Sequence, residues 1–211
     1  MSEAILATHD ITLTKENLMK KTLIALSALI TAVAFAGSHE EHHAHAIEID
    51  KAHTSIGFNI THMVISRVQG AFEEFDGTLT VENGELKAVK AEIQVASINT
   101  ANSRRDGHLK SDDFFDAENF PVITFESTSV EEGKVTGNLT IKDVTREVVL
   151  ETTFNGPATD PWGNVRYGLN GSTTINRTDF GLTWNQALEA GGVMVGEEVR
   201  IDISTQIIVP E

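Results

Sequence analysis

The chain has 211 residues, 40% hydrophobic and 22% charged, with a formal net charge of −15 and no cysteine. Those proportions fit a globular domain and exclude a fibrous or disordered chain. The acidic balance argues against nucleic acid and anionic surfaces as partners, and the missing cysteine removes disulfides, thiolate metal sites, a Cys nucleophile and a lipidated cysteine.

Residues 1–18 carry Glu3, Asp10 and Glu16 and suit no export signal. Met19-Lys20-Lys21 begins one, the uncharged run Thr22 to Phe35 continues it, and Ala34-Phe35-Ala36 supplies a cleavage site. The reading is a signal peptide over 19–36 cleaved after Ala36, with residues 1–18 a start-site artefact. It implies export to the bacterial periplasm or to the outside of the cell. The apolar run is short for a membrane span, so no stable membrane anchor is expected. The removed part balances Lys15, Lys20 and Lys21 against three acids, so the mature chain keeps the full −15.

Residues 37–46, GSHEEHHAHA, form a His-rich tail. His39-Glu40-Glu41-His42-His43 fits the H-E-x-x-H pattern of zinc peptidases, which needs a docked helix and a third ligand. This stretch has no apolar stripe to dock it, and so short a helix does not hold alone in water. Cleavage after Ala36 would instead leave Gly37-Ser38-His39 at the N-terminus, a square-planar copper or nickel chelator, with His42, His43 and His45 as further ligands. The competing reading is a flexible, solvated linker.

From Ile47 onward the hydrophobic period is two. Strands are expected at 54–61, 68–81, 86–95 and 122–130. Further alternating series start at Val135, Val148, Val165 and Val199. Thr61 to Arg67 is read as one helical turn, and Glu73-Glu74 as a bulge inside a single strand. Ala101 to Lys110 is read as a short helix capped by Asn99 or Thr100. Asn83-Gly84, Glu132-Gly133, Lys142-Asp143, Asn155-Gly156-Pro157 and Gly191-Gly192 are placed at turns. Roughly eight antiparallel strands result. Their length favours a barrel over a sandwich. So do the small residues Gly70, Gly77, Gly137 and Gly171, set beside Phe72, Phe75, Phe125 and Phe154, because such spacing leaves room inside a closed sheet.

Several stretches resemble the YceI-like family in that family's order. They are DGHLKSDDFFD (106–116) with FPVITFES (120–127), IDKAHTSIGFNITHM (49–63), VTGNLTIKDVTREVVL (135–150) and INRTDFGLTWNQALEAGGVMVGEEVRIDI (175–203). The resemblance covers 47–209 and leaves the His-rich stretch outside. It implies an all-β, extended, eight-stranded antiparallel lipocalin-like barrel over 47–211 with one or two short helices. It also implies periplasmic export and a polyisoprenoid or fatty-acid-like lipid held inside. No enzymatic activity is general to the family.

On this reading the cavity wall would be Phe58, Phe72, Phe75, Ile93, Phe125, Leu139, Leu150, Phe154, Leu169 and Trp184. Segment 101–116 would cover one mouth, offering Arg104, Arg105, His108 and Lys110 to an anionic head. His108 with Asp112 at i+4 has a catalytic reading as well, but Arg105–Asp106 pairing and a cap at Ser111 or Asp112 account for the segment structurally. The loop Asp179 to Asn185 either lines the cavity or plugs one end. There is no G-x-S-x-G, phosphate loop or dinucleotide fingerprint, and no catalytic residue is assigned. The leading function is a periplasmic binder of a long-chain lipid, for storage, transport or protection, needing no further cofactor. The alternatives are metal handling by the tail and an enzyme using His108. A homodimer is left open.

Overall fold

The structure is a computed structural model and describes residues 44–189 and 191–210. The proposed artefact, the signal peptide, and His39, His42 and His43 lie outside the described residues. Among the described residues eleven strands form one antiparallel sheet: β1 His45–Glu48, β2 Ser55–His62, β3 Ser66–Phe72, β4 Phe75–Glu82, β5 Glu85–Gln94, β6 Ile98–Asn99, β7 Val122–Glu131, β8 Lys134–Ile141, β9 Val144–Thr159, β10 Val165–Asn176 and β11 Val195–Val209. The one α-helix among them, α1, spans Ser103–Lys110. The alternation that predicts the strands also sorts their faces. In β8, Val135, Gly137, Leu139 and Ile141 are buried, while Lys134 and Asn138 are exposed.

The sheet order is β1-β4-β5-β7-β8-β9-β10-β11-β2-β3-β6. β4 stands near one end of that order and β3 near the other, yet only Glu73 and Glu74 separate them. Three Cα steps reach roughly 11 Å at most, so the two ends must meet and the sheet must curl. Two more ties hold the seam. Glu73 N–H donates to Ser97 O (3.2 Å) and Gln94 N–H to Glu74 O (2.9 Å). On the β1 side, Ile49 bridges Ile207 of β11, and Asp50 N–H donates to Gln206 O (2.7 Å). The result is the lipocalin-like antiparallel architecture expected from sequence, with a higher strand count.

The extra strands have local causes. The segment 68–81 is not one bulged strand: Glu73-Glu74 is the corner where the chain leaves β3 and enters β4. Barrel pairing begins at His45, inside the stretch read as tail, because His45 and Ala46 extend β1 against Val81 and Thr80. Thr61 to Arg67 is not helical. Met63-Val64-Ile65 is the tip of the β2–β3 hairpin, with Met63 and Val64 at positive φ (51° and 66°) and Ile65 85% exposed. α1 starts two residues later than expected because Asn102, not Asn99 or Thr100, caps it by accepting from Arg105 N–H (3.1 Å). Thr100 is occupied elsewhere, bound to Arg105 and Asp106.

Asn83-Gly84, Glu132-Gly133 and Lys142-Asp143 do link consecutive strands. Gly156-Pro157 does not; it lies within β9, beside the register shift between Arg166 and Gly168. The hairpin turn comes at 160–164 instead, where Asp160 accepts from Trp162 N–H and Asn164 N–H, both at 2.9 Å.

Arg166 anchors that turn. Its Nε donates to Asp160 Oδ2 (2.8 Å) and its Nη1 to Asp50 Oδ2 (2.9 Å), joining the β9–β10 turn to the link after β1. The side chain of Asp160 is only 9% exposed. Hydrogen bonds from Asn164, then Arg166, hold the Asp160 carboxyl far below the ordinary carboxylate range. Asp50 is lowered by Arg166 first and His53 second. Folded pKa values below the unfolded value of about 4 contribute stability above that pH and lose it as pH falls through the depressed values. Arg166→Gln is therefore expected to lower the melting temperature at neutral pH and to flatten its decline below pH ~4. Melting curves across an acid series check both; an unchanged acid slope would count against the network.

Candidate functional site

Inside the curl lies a channel with an almost wholly apolar wall. Along β10 the successive inward residues Leu169, Gly171, Thr173 and Ile175 all line it. Along β11 the corresponding residues are Val199, Ile201, Ile203 and Thr205. Six residue steps of strand from Leu169 to Ile175 cover about 20 Å, so the channel is long. It is also narrow, with a volume of about 160 Å³. Among the described residues the only charged side chains in the wall are Lys90 and Arg177.

Glycines set the bore, though not all of those expected. Gly57, Gly77 and Gly171 line the channel. At Gly70 and Gly137 the room is already taken. A Cβ on Gly70 would stand 2.4 Å from Phe58 Cζ, and one on Gly137 would stand 2.5 Å from Phe125 Cζ. Those phenyl rings fold over the glycines and form the wall.

The channel meets a second space of about 470 Å³ at one end. Phe115, Arg177, Leu182 and Val199 face both spaces. This vestibule lies between the β2–β3 hairpin, α1 and the loop from Arg177 to Val195. His108 sits in an aromatic cluster within it, edge-on to Trp184 (4.8 Å between ring centres) and to Phe114 (5.1 Å), with Nε2 hydrogen-bonded to Asp113 Oδ2 (2.9 Å). The carboxylate partner of His108 is thus Asp113, not Asp112. Arg105 and Asp106 do not pair with each other; both bind Thr100. Ser111 caps α1 at its C-terminal end and accepts from Phe114 N–H (3.1 Å), which directs Phe114 inward.

The loop after β10 forms the neck between the two spaces. Asn176 caps its first turn by accepting from Thr178 N–H (2.9 Å). Phe180 and Leu182 are buried. Asn185 clips the far end, donating to Val195 O (2.7 Å) and accepting from Val195 N–H (3.1 Å). Arg177 holds the loop from inside. It donates through Nε to Gly196 O (2.8 Å), through Nη2 to Val195 O (3.4 Å) and through Nη1 to Leu182 O. It is only 3% exposed, and burial pulls its pKa below the usual guanidinium value.

Of the ten wall residues named from sequence, Phe58, Phe72, Ile93, Phe125, Leu139, Leu150 and Leu169 line the channel. Phe75 is buried in the core outside that wall. Phe154 stacks on Tyr167 (5.3 Å, 5° between planes) away from the channel, and Trp184 belongs to the vestibule. Arg104, Arg105 and His108 line the vestibule, and Lys110 does not. Of the tail ligands, only His45 is described, in β1. Among the described residues no group of three His, Asp or Glu is placed to hold a metal. Sequence reasoning missed Arg177, although a signal was available. Arg177 continues the inward series 169, 171, 173, 175, so period two alone puts a cation on an apolar face.

Comparison with known proteins agrees with this geometry. A UPF0312 protein of Staphylococcus aureus is 42% identical over 165 residues, covering 77% of this chain and 96% of its own. The YceI protein of Campylobacter jejuni has a solved structure that superimposes with a TM-score of 0.62 at 33% identity, over 77% of this chain and 96% of that one. A polyisoprenoid binding domain from Saccharophagus degradans, implicated in plant cell wall breakdown, shares the fold alone: TM-score 0.60 at 15% identity, over 78% of this chain and 99% of that one. The sequence profile of the YceI-like domain matches residues 48–207. With seam, channel and motifs in agreement over that span, the chain belongs to the YceI-like family.

Proposed function

We propose that the protein binds a long-chain lipid, a polyisoprenoid or a similarly extended hydrocarbon, within the barrel, as a carrier or store rather than as an enzyme. The observation that carries this reading is the channel: long, narrow and apolar, with one polar mouth. Each methylene taken out of water into such a wall contributes about 0.8 kcal/mol, so affinity comes from length rather than from any single contact. The fold shared with a polyisoprenoid binding domain supports the same ligand class. The export signal read at 19–36 would place this work in the periplasm.

Native mass spectrometry of protein purified from its own cells, followed by organic extraction, tests the reading. A stoichiometric long-chain lipid is expected. Protein that carries none and takes up no hexadecanol or polyprenol when offered would overturn it.

A further inference from the structure

The protein is strongly acidic, yet among the described residues no carboxylate lines the vestibule. Its charged and titratable lining is Arg104, Arg105 and Arg177 with His62 and His108. The nearby acids are committed or outside the lining. Asp106 accepts from Thr100, Asp113 holds His108, and Glu197 accepts from Asn176 Nδ2 (3.4 Å). Arg104 is exposed and has no hydrogen-bond or ion-pair partner among the described residues. Arg177 is buried, and its acceptors are backbone carbonyls only. A guanidinium carries five N–H donors, and these bonds use three of them. Glu197 acts on Arg177 only through space and makes no hydrogen bond to it, so the buried cation has no carboxylate in contact, and an anion arriving beside it would complete its partners.

Resting on the lipid-binding reading, we propose that the ligand is an anionic amphiphile. Its chain fills the channel and its carboxylate or phosphate head sits in the vestibule, gripped by Arg177 from the neck and Arg104 from the rim. Arg177 faces both spaces, so it meets the ligand where the apolar chain ends and the head begins. Guanidinium suits both head types because its planar donors match a pair of oxygens. A neutral lipid of the same chain length gains only the channel.

Hexadecanol, hexadecanoate and hexadecyl phosphate share one chain and differ in the head. Their affinities for the delipidated full-length protein are measured by titration calorimetry and by Trp184 fluorescence in a Trp162→Phe background. At least one anion is expected to bind about tenfold or more tighter than the alcohol, with the ratio shrinking as salt is raised. A gain for the phosphate alone supports the proposal and assigns a phosphate head. A gain for both shows that a single negative charge suffices. Arg104→Gln is expected to bring the anion-to-alcohol ratio down several-fold, and Arg177→Gln to bring it close to one. Because Arg177 also ties the neck loop, Arg104→Gln carries the test if the other variant does not fold. Equal affinity for alcohol and anions in the unaltered vestibule, or a ratio that neither variant moves, overturns the anionic head while leaving lipid binding in place. Failure of all three to bind removes the lipid reading and this inference together.

Discussion

Gly171→Leu should empty the channel without unfolding the barrel. Gly171 lines the channel from the middle of β10, between Thr152 of β9 and Ile203 of β11. A Cβ there meets Thr152 Cγ2 at 3.5 Å and the Glu151 carbonyl at 3.9 Å, ordinary contact distances, so the backbone tolerates a side chain. The rest of the leucine has nowhere to go but the bore. Its four side-chain carbons displace roughly four methylenes of ligand, about 3 kcal/mol or two orders of magnitude in Kd. Titration with hexadecanol or hexadecanoate checks the loss. Urea unfolding checks that stability is held, or raised by the extra apolar burial. A stable variant that binds as tightly as the parent would place the ligand somewhere other than this channel.

Ile207→Ala should be among the most destabilising single changes in the domain. Ile207 is fully buried, pairs with Tyr167 in β10, and takes the bridge from Ile49 where β1 meets β11. Removing a buried isoleucine side chain costs about 2–5 kcal/mol, and a seam held by two strands cannot easily collapse into the gap. Against a total stability of about 5–15 kcal/mol that is a large share. The urea midpoint should fall at unchanged slope. Val149→Ala, on the outer face and 39% exposed, serves as the control and should stay within about 0.5 kcal/mol of the parent. A cost below ~1 kcal/mol at Ile207 would mean the seam is not packed as described.

Period two makes most of the sheet legible from the amino-acid sequence alone, because in a strand with one wet face each side chain's type reports its direction. It locates β5, β7, β8, β10 and most of β11 to within a few residues. It fails where the chain turns a corner without turn residues. At Phe72-Glu73-Glu74-Phe75 the alternation breaks, but with no turn residue there the break reads as a bulge in one strand. Only the pairing of β3 with β2 and of β4 with β5, a non-local fact, reveals two strands. Met63-Val64-Ile65 fails for the opposite reason. A β-branched residue at positive φ is a rare hairpin tip, so no propensity argument would choose it.

The channel wall is largely legible because bulky inward residues border any lumen. Phe75, Phe154 and Trp184 show the limit. An inward or aromatic position does not say which of several interior spaces it faces. The vestibule is legible only in part, since Thr100 and Asn102 fix the start of α1 and Asn185 fixes the neck loop, small polar residues whose roles appear only once their partners are placed.

The pairing of β2 with β11 also sets an order of events. Ser55 lies against Ser204 and His62 against Val195, so one of the first strands of the domain waits for the last to be made. Until β11 is synthesised, β2 has an open edge and the wall formed by Val199, Ile201, Ile203 and Thr205 does not exist. A partly synthesised chain thus has neither a closed sheet nor a place for a lipid, and both are acquired with the same final strand. Joining partners so distant in sequence slows folding, because the loop between them must be closed before any contact rewards it.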